Sequence, residues 1–286
     1  MFEYRTLEGV DTEILHKAFV EAFSDYQVKL DLPLWKLQRM LKRRGYVPEK
    51  SLGALKDEEL VGFILNGCRK WKGRYTAYDI GTGVLPDYRK QGLTTNMFRK
   101  ASELLRAEGV EQYLLEVIQE NTAAYELYKK QGFKVERTFT CYKLDNNKCK
   151  IEGNIEVSHA DGLETAEWEQ VKAFWDAEPS WQNSIEAVRP LPGGFLYSTV
   201  RSGNKIVGYG IMEKRTGDIP QFGVDRDHRG QGIGRRIIAD LISNSETGKA
   251  AVLNVDDRSK SIKDFLSSTG FEPYVLQYEM IFDMNA

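Results

Sequence analysis

The sequence lacks the features that mark membrane and secreted proteins. None of its apolar runs reaches the roughly 18 residues that a membrane-spanning helix needs. The first residues, Met1-Phe2-Glu3-Tyr4-Arg5, do not follow a signal-peptide pattern. These absences predict a cytoplasmic protein that does not act at a membrane.

Metal-ligand spacing is also missing. The cysteines and histidines are Cys68, Cys141, Cys149, His16, His159 and His228. They form no C-x-x-C pair and no cluster, so we expect a reduced protein that needs no metal. The net charge of −2 creates no general attraction for nucleic acid, and we expect no nucleic-acid partner.

What the sequence does contain is an internal repeat. Val-Leu-Pro-Asp-Tyr-Arg-Lys-Gln-Gly-Leu-Thr at 84–94 aligns without a gap on Val-Asp-Arg-Asp-His-Arg-Gly-Gln-Gly-Ile-Gly at 224–234, an offset of 140. Gln131-Gly132-Phe133 falls near Thr269-Gly270-Phe271 at an offset of 138. Two matches at nearly the same offset indicate a duplicated module.

Hydrophobic periodicity predicts similar elements in both copies. In copy one we expect strands near 2–7, 51–56, 60–68, 75–85, 112–118 and 133–144, and helices near 11–24, 33–43, 92–109 and 122–130. In copy two we expect strands near 155–159, 194–200, 206–212, 218–224, 251–255 and 271–281, and helices near 163–176, 233–243 and 259–267. The polar stretch between them predicts modules at 1–146 and 153–286.

Each copy has a glycine-containing loop between a predicted strand and a predicted helix. A helix N-terminus presents unpaired N–H groups and glycine permits close approach, so a pyrophosphate suits these loops. The phosphate-loop NTPase motif is absent from both, and the dinucleotide fingerprint needs Gly or Ala where copy two has Arg235. A plain strand-to-helix turn is the structural alternative.

The two loops resemble the [RQ]-x-x-G-x-[GA] acetyl-CoA loop of the GNAT superfamily of N-acetyltransferases. Copy two matches fully, whereas copy one has Thr94 at the last position. The resemblance implies an α/β fold of two tandem modules, each a mixed, mostly antiparallel sheet flanked by helices. It implies acetyl-CoA as cosubstrate, held by Val84, Leu85, Arg89, Lys90, Gln91, Gly92, Leu93, Thr94, Thr95 and Asn121 and, in copy two, by Val224, Arg229, Gly230, Gln231, Gly232, Ile233 and Gly234.

The segment 115–133 carries the most specific similarity. It follows the family pattern L-E-V-x-x-x-N-x-x-A-x-x-L-Y-x-x-x-G-F. The resemblance implies that Tyr128 is the general acid toward the departing thiolate, and that Glu116 is a candidate general base. It also implies an oxyanion donor at the backbone N–H of Val84 or Leu85. A strand carboxylate such as Glu116 could equally serve only to hydrogen-bond a neighbouring strand.

Copy two lacks these proton-transfer groups. At the offset of 138, Asn254 replaces Glu116 and Leu266 replaces Tyr128. We therefore expect acetyl transfer by copy one to an amine of a small molecule or peptide. There are two alternatives. The protein could be a CoA-binding sensor or scaffold without turnover, or turnover could take place in copy two.

The acceptor and the assembly are less defined. The resemblance places acceptor selection in loops at about 19–46. The basic cluster Lys36, Arg39, Lys42, Arg43 and Arg44 lies there, and it is interpreted as a solvated helix face that would also suit an acidic acceptor. The tandem is compatible with a monomer whose modules mimic a dimer, or with a homodimer.

Overall fold

A computed structural model describes residues 1–25, 31–144, 155–191 and 193–285, and these form two units. Unit 1 comprises Met1–Glu116, Glu126–Glu136 and Glu279–Ala286, and unit 2 comprises Val117–Tyr125 and Arg137–Tyr278. Each is a mixed sheet with helices. No helix among the described residues is long and apolar enough to cross a membrane. The linker predicted at 145–154 lies outside the described residues, and the module boundaries stay a prediction.

Unit 1 is built on a sheet in the order β1-β2-β3-β4-β5, with the end of β12 beyond β5. The strands are β1 (Glu3–Thr6), β2 (Leu52–Lys56), β3 (Glu59–Trp71), β4 (Arg74–Val84) and β5 (Gln112–Ile118). Its helices are α1 (Thr12–Ala22), α2 (Leu34–Arg44) and α3 (Leu93–Ala107), followed by α4 (Thr122–Lys130). From β1 to β4 neighbouring strands pair antiparallel, and β4 and β5 pair parallel.

Helix α3 covers the sheet of unit 1 with an apolar stripe. Met97, Ala101 and Leu105 recur at helical spacing and are fully buried, as the sequence period predicts. Leu93 and Phe98 complete this buried face. The stripe fixes the rotation of α3, and with it the direction in which the first turn of the helix points.

Unit 2 has the sheet order β6-β11-β10-β9-β8-β7. Its strands are β6 (Lys134–Leu144), β7 (Ser158–Ala160), β8 (Leu196–Ser202), β9 (Lys205–Glu213), β10 (Asp218–Val224) and β11 (Ala250–Asp256), and the last strand of the chain is β12 (Glu272–Asp283). The helices are α5 (Thr165–Lys172), α6 (Ile185–Val188), α7 (Ile233–Ser243) and α8 (Lys260–Ser268).

The two units do not coincide with the two halves of the sequence. Residues 279–285 belong to unit 1, where the Phe282 ring lies 5.6 Å from that of Phe133, centroid to centroid, and the Met284 N–H donates to the Glu111 carbonyl at 3.0 Å. Residues 137–144 of β6 belong to unit 2, where they pair antiparallel with β11. Each unit is therefore completed by a strand from the other half.

Most predicted elements are present, with two differences in unit 2. The strand predicted at 155–159 forms only at Ser158–Ala160, because the Ile155 carbonyl accepts from Nε of Arg236 on α7 at 3.0 Å. The helix predicted at 163–176 ends at Lys172. Beyond it, the indole N–H of Trp175 donates to the hydroxyl of Tyr209 at 2.6 Å. After Lys172 the backbone continues in tighter turns, in which the N–H groups of Phe174 and Trp175 donate to the carbonyls of Val171 and Lys172 at 3.0 and 3.2 Å.

Candidate active site

The loop before α3 has the geometry of a backbone anion site. Lys90 and Gly92 adopt left-handed conformations with φ of 61° and 78°, and α3 begins at Leu93. The first intrahelical bond runs from the Asn96 N–H to the Gly92 carbonyl at 3.0 Å. The N–H groups of the three preceding residues, 93–95, come before that bond and have no acceptor within the helix. They are donors for an anion such as a pyrophosphate.

Arg89 supports this loop through contacts with the protein. Its guanidinium donates to both carboxylate oxygens of Asp25 at 2.6 and 2.8 Å, to the Ala22 carbonyl at 2.9 Å and to the Val84 carbonyl at 3.2 Å. The hydrogen bond to Arg89 lowers the pKa of Asp25. Arg89 thus links the end of α1 to the end of β4.

Unit 2 repeats this arrangement residue for residue. Gly230 and Gly232 have φ of 77° and 85°, and α7 begins directly after them. Arg229 donates to the Asp176 carboxylate at 3.0 Å, to the Phe174 carbonyl at 2.9 Å and to the Val224 carbonyl at 3.2 Å. The repeat therefore extends to the arginine contacts, which the sequence alignment could not reveal.

Strands β4 and β5 separate before they reach the loop. Their parallel pairing ends at Tyr78 and Leu114, although β4 continues to Val84. Strand β4 also pairs antiparallel with β3, and the Leu85 N–H donates to the Val61 carbonyl at 2.9 Å. Val84 lies opposite Gly62, and because these two residues form a non-hydrogen-bonded pair, neither N–H is directed at the other strand. The Val84 N–H therefore points away from β3. Of the two predicted oxyanion donors, this register favours Val84.

A bulge in β4 shapes the region where the strands part. Asn66 pairs with Asp79 and Leu65 with Gly81, so Ile80 is an extra residue in the ladder. A bulged residue leaves ladder groups unpaired. Here the guanidinium of Arg44, in the last turn of α2, donates to the Ile80 carbonyl at 3.1 Å. This contact ties α2 to the widened part of the sheet.

Tyr128, the predicted acid, contacts a carboxylate beside this bulge. Its hydroxyl donates to Oδ2 of Asp79 at 3.3 Å, and its ring packs edge-on against Phe133. Thr82 Oγ1 donates to the same carboxylate oxygen at 2.7 Å. Asp79 is 8% exposed, and burial raises its pKa to about 6, opposed by the hydrogen bonds from Thr82 and Tyr128.

Glu116, the candidate base, is half-buried on β5 and hydrogen-bonds the phenol of Tyr78. Burial and then the negative charge of Glu116 raise the pKa of Tyr78 well above its usual range. The Asn121 side-chain carbonyl accepts from the Ala124 N–H at 3.2 Å and so caps α4. Glu116 thus makes the hydrogen bond to a neighbouring strand that was its structural alternative. Its role as a general base stays a prediction.

Unit 2 contains a cavity of about 510 Å³ at its own loop. Its walls include the glycines of the loop, Phe222 and Val224 on β10, and Ile262 and Phe265 on α8. Ser259, which is 4% exposed, also lines the cavity, and its buried hydroxyl has no hydrogen-bond partner among the described residues. These groups suit a ligand that has an anionic end for the loop, a polar group near Ser259 and an apolar part against Phe222, Val224, Ile262 and Phe265.

Proton-transfer side chains are replaced in unit 2. Leu266, which aligns with Tyr128, is fully buried in the apolar core. Asn254, which aligns with Glu116, has φ of 54°, and its amide nitrogen donates to Ser180 Oγ at 3.1 Å. Ile219 stands at the position of Asp79. This unit therefore offers a binding cavity without an acid or base at the matched positions.

Asp79 is the residue that sequence reasoning missed. It lies in Tyr-Thr-Ala-Tyr-Asp-Ile-Gly, an apolar strand pattern interrupted by one charge. Because Asp is almost never fully buried unless it is paired or functional, that interruption was a usable signal. The bulge that places Asp79 near Tyr128 leaves no mark in the sequence.

Comparisons with known proteins match both halves of the chain. A model of the acetyltransferase (GNAT) family matches residues 12–133, and a model of an acetyltransferase (GNAT) domain matches residues 163–280. Chloroplastic GCN5-related N-acetyltransferase 6 of Arabidopsis thaliana is 44% identical over 64 residues, 22% of each chain. N-alpha-acetyltransferase 30 of Schizosaccharomyces pombe is 23% identical over 124 residues, 42% of this chain and 73% of that protein.

Two solved structures match nearly the whole length. A tandem GNAT protein from the clavulanic acid biosynthesis pathway superposes with a TM-score of 0.73 at 15% identity and covers 99% of both chains. A GCN5-related N-acetyltransferase from Sphaerobacter thermophilus gives a TM-score of 0.73 at 15% identity, over 99% of this chain and 96% of that one. At these identities the likeness concerns the fold.

Proposed function

This chain belongs to the GNAT acetyltransferase family and carries two GNAT domains in tandem, and from this premise we propose that unit 1 transfers acetyl from acetyl-CoA to an amine. The observation that carries the proposal is the contact of Tyr128 with a buried carboxylate at the place where β4 and β5 part. The match to an N-alpha-acetyltransferase adds peptide α-amines to the acceptors to be tested.

Each part of unit 1 has a task in this reaction. The N–H groups at 93–95 hold the pyrophosphate of acetyl-CoA, and Val84 N–H stabilises the oxyanion that forms on the thioester carbonyl. Glu116 removes a proton from the ammonium form of the acceptor. Tyr128 protonates the departing thiolate, for which a phenol of pKa near 10 is suitable.

The loop assignment is tested by placing a carboxylate in the first turn of each helix. Thr95→Glu in α3 and Arg235→Glu in α7 are compatible with the helix dipole but repel a pyrophosphate. Their controls are the uncharged variants Thr95→Gln and Arg235→Gln. We expect Thr95→Glu to weaken acetyl-CoA binding at unit 1 by about tenfold or more, equivalent to about 1.4 kcal/mol, measured by calorimetry of the full chain.

Turnover is tested with a panel of small amines and peptides with free α-amines, by release of free thiol. Tyr128→Phe should lower kcat roughly a hundredfold, within the range of general acid catalysis, with acetyl-CoA affinity unchanged. Loss of turnover in Arg235→Glu, but not in Thr95→Glu, would move the active site to unit 2.

A second function is proposed for unit 2, namely binding of a CoA compound without turnover. The cavity of about 510 Å³ and the unpartnered Ser259 hydroxyl support it. Calorimetry on Thr95→Glu should then retain one acetyl-CoA site, which Ser259→Ala weakens and which Arg235→Glu removes. Retention of this site in Arg235→Glu would contradict the assignment.

A further inference from the structure

The carboxylate of Asp79 has one oxygen engaged and one oxygen without a hydrogen-bond partner among the described residues. Oδ2 accepts from Thr82 and Tyr128, at 2.7 and 3.3 Å, and the backbone N–H of Gly81 also hydrogen-bonds the carboxylate. Oδ1 is buried, with no such partner. A carboxylate kept only for structure normally has both oxygens hydrogen-bonded, and a buried unsatisfied oxygen calls for an explanation.

Several elements surround this carboxylate with polar and titratable groups. Thr82 from β4, Tyr128 from α4 and Arg44 from α2 act on Asp79 itself, and Asp79 in turn acts on Tyr78 from β4 and Tyr113 from β5. These two phenols also interact with Glu116 from β5 and with Asn66 and Cys68 from β3. Asn66 is occupied, because its side-chain oxygen accepts from the hydroxyl of Tyr113 at 2.5 Å. The guanidinium of Arg44 donates to the Ile80 carbonyl. Thr82 and Tyr128 both donate to Asp79, and of these two hydroxyls the phenol of Tyr128, with an ordinary pKa of about 10, is the more acidic and can exchange its proton.

We propose that Asp79 and Tyr128 form a proton relay that carries one proton of the acceptor amine to the sulfur of the leaving thiolate. This inference rests on the proposed acetyl transfer by unit 1. Oδ1 is the oxygen that receives the proton, and Oδ2 already holds the phenol that delivers one. Glu116 then has only the first, earlier deprotonation of the ammonium to perform.

The relay balances. The ammonium first loses one proton to solvent through Glu116, and the amine nitrogen then forms a bond to the thioester carbonyl carbon. The second nitrogen proton passes to Oδ1 of Asp79. As the C–S bond breaks, Tyr128 gives its proton to the sulfur. A half-turn of the Asp79 carboxyl, a soft two-fold torsion, lets it return the proton to the phenolate and restore both groups.

The direction of the last step follows from acidities. A carboxylic acid is a far stronger acid than a phenol, whose ordinary pKa is about 10, so the proton moves from Asp79 to the phenolate. A pKa of about 6 for Asp79 keeps the carboxylate ionised at neutral pH while making it a better proton acceptor than an ordinary Asp. Unit 2 has Ile219 and Leu266 at the two positions and so has no relay.

The test compares Asp79→Asn with Thr82→Val in the full-length protein. Asparagine can still accept hydrogen bonds from Thr82 and Tyr128 but takes up no proton. We expect kcat for thiol release with an active amine of the panel to fall roughly a hundredfold. The acid limb of the kcat/KM profile, near pH 6, should disappear, and acetyl-CoA affinity should stay unchanged. Thr82→Val should cost at most a few-fold in rate and move the acid limb to higher pH, because the Thr82 hydrogen bond lowers the pKa of Asp79.

Infrared titration tests the pair without turnover. The band of a protonated carboxyl group that titrates near pH 6 should be absent from Asp79→Asn. It should move to higher pH in Tyr128→Phe, since the Tyr128 hydrogen bond also lowers the pKa of Asp79. An Asp79→Asn protein with wild-type rate and acid limb overturns the relay and leaves acetyl transfer standing. A wild-type protein that binds acetyl-CoA but releases thiol to none of the amines overturns acetyl transfer, and the relay with it.

Discussion

The buried carboxyl group of Asp79 lowers the stability of the fold at neutral pH. Burial raises its pKa from 3.8 to about 6, so the folded protein binds more protons than the unfolded chain between these values. Proton binding by Asp79 therefore contributes its full stabilisation of the folded state below about pH 4, and this stabilisation is lost as the pH rises through 6. The carboxylate proposed for the relay is thus held against the preference of the fold.

Asp79→Asn should accordingly stabilise the protein while lowering its activity. We expect the free energy of unfolding to rise by about 1–3 kcal/mol at pH 8, from 1.36 kcal/mol for each unit of pKa. Urea unfolding at a series of pH values measures this gain, which should shrink as the pH falls from 6 toward 4. A gain that is independent of pH would show that the charge of Asp79 is not its cause.

Among the elements, α7 and α8 explain why the two loops differ in their last residue. A Cβ atom at Gly234 would lie 3.2 Å from two ring atoms of Phe265 on α8. The residue of α4 that aligns with Phe265 is the smaller Leu127. The alignment thus gives copy one a smaller residue in place of Phe265, and we expect Thr94 to be accommodated without damage to the loop.

A double-mutant cycle tests this packing. Alanine is favoured over glycine inside a helix by about 1 kcal/mol, so Gly234→Ala should stabilise a Phe265→Leu background by about that amount. In the wild-type background the ring must shift, and the gain should be smaller by at least about 0.5 kcal/mol. Thermal or urea unfolding of the four proteins gives the coupling, and additive effects would contradict the assigned contact.

The elements also show how far the sequence could lead. Duplication, element order and the loop motifs were accessible, because periodicity and glycine positions are local properties. The sequence could not decide whether the Val84 or the Leu85 N–H is the oxyanion donor, since this depends on the register between β3 and β4. The contact of Asp79 with Tyr128 depends on the bulge at Ile80, which is set by the same register. The placement of residues 137–144 in unit 2 and of residues 279–285 in unit 1 depends on pairing between strands far apart in the sequence.

For the whole molecule, strand membership predicts that the halves are not separable domains. Unit 1 needs residues 279–285 and unit 2 needs residues 137–144. After cleavage at a protease site inserted between 146 and 153, we expect the two pieces to co-elute on size exclusion and to keep their cooperative unfolding. Separately produced pieces should unfold at far lower urea concentration. Two folded, independent pieces would contradict this view.

The placement of Phe282 and Met284 in unit 1 also bears on biosynthesis. Chains generally fold from the N-terminus as the ribosome extends them, yet unit 1 is incomplete until residue 285 has been made. Its 116 leading residues must wait through the synthesis of all of unit 2. A chain whose synthesis stops before residue 279 would therefore lack the residues of β12 that belong to unit 1.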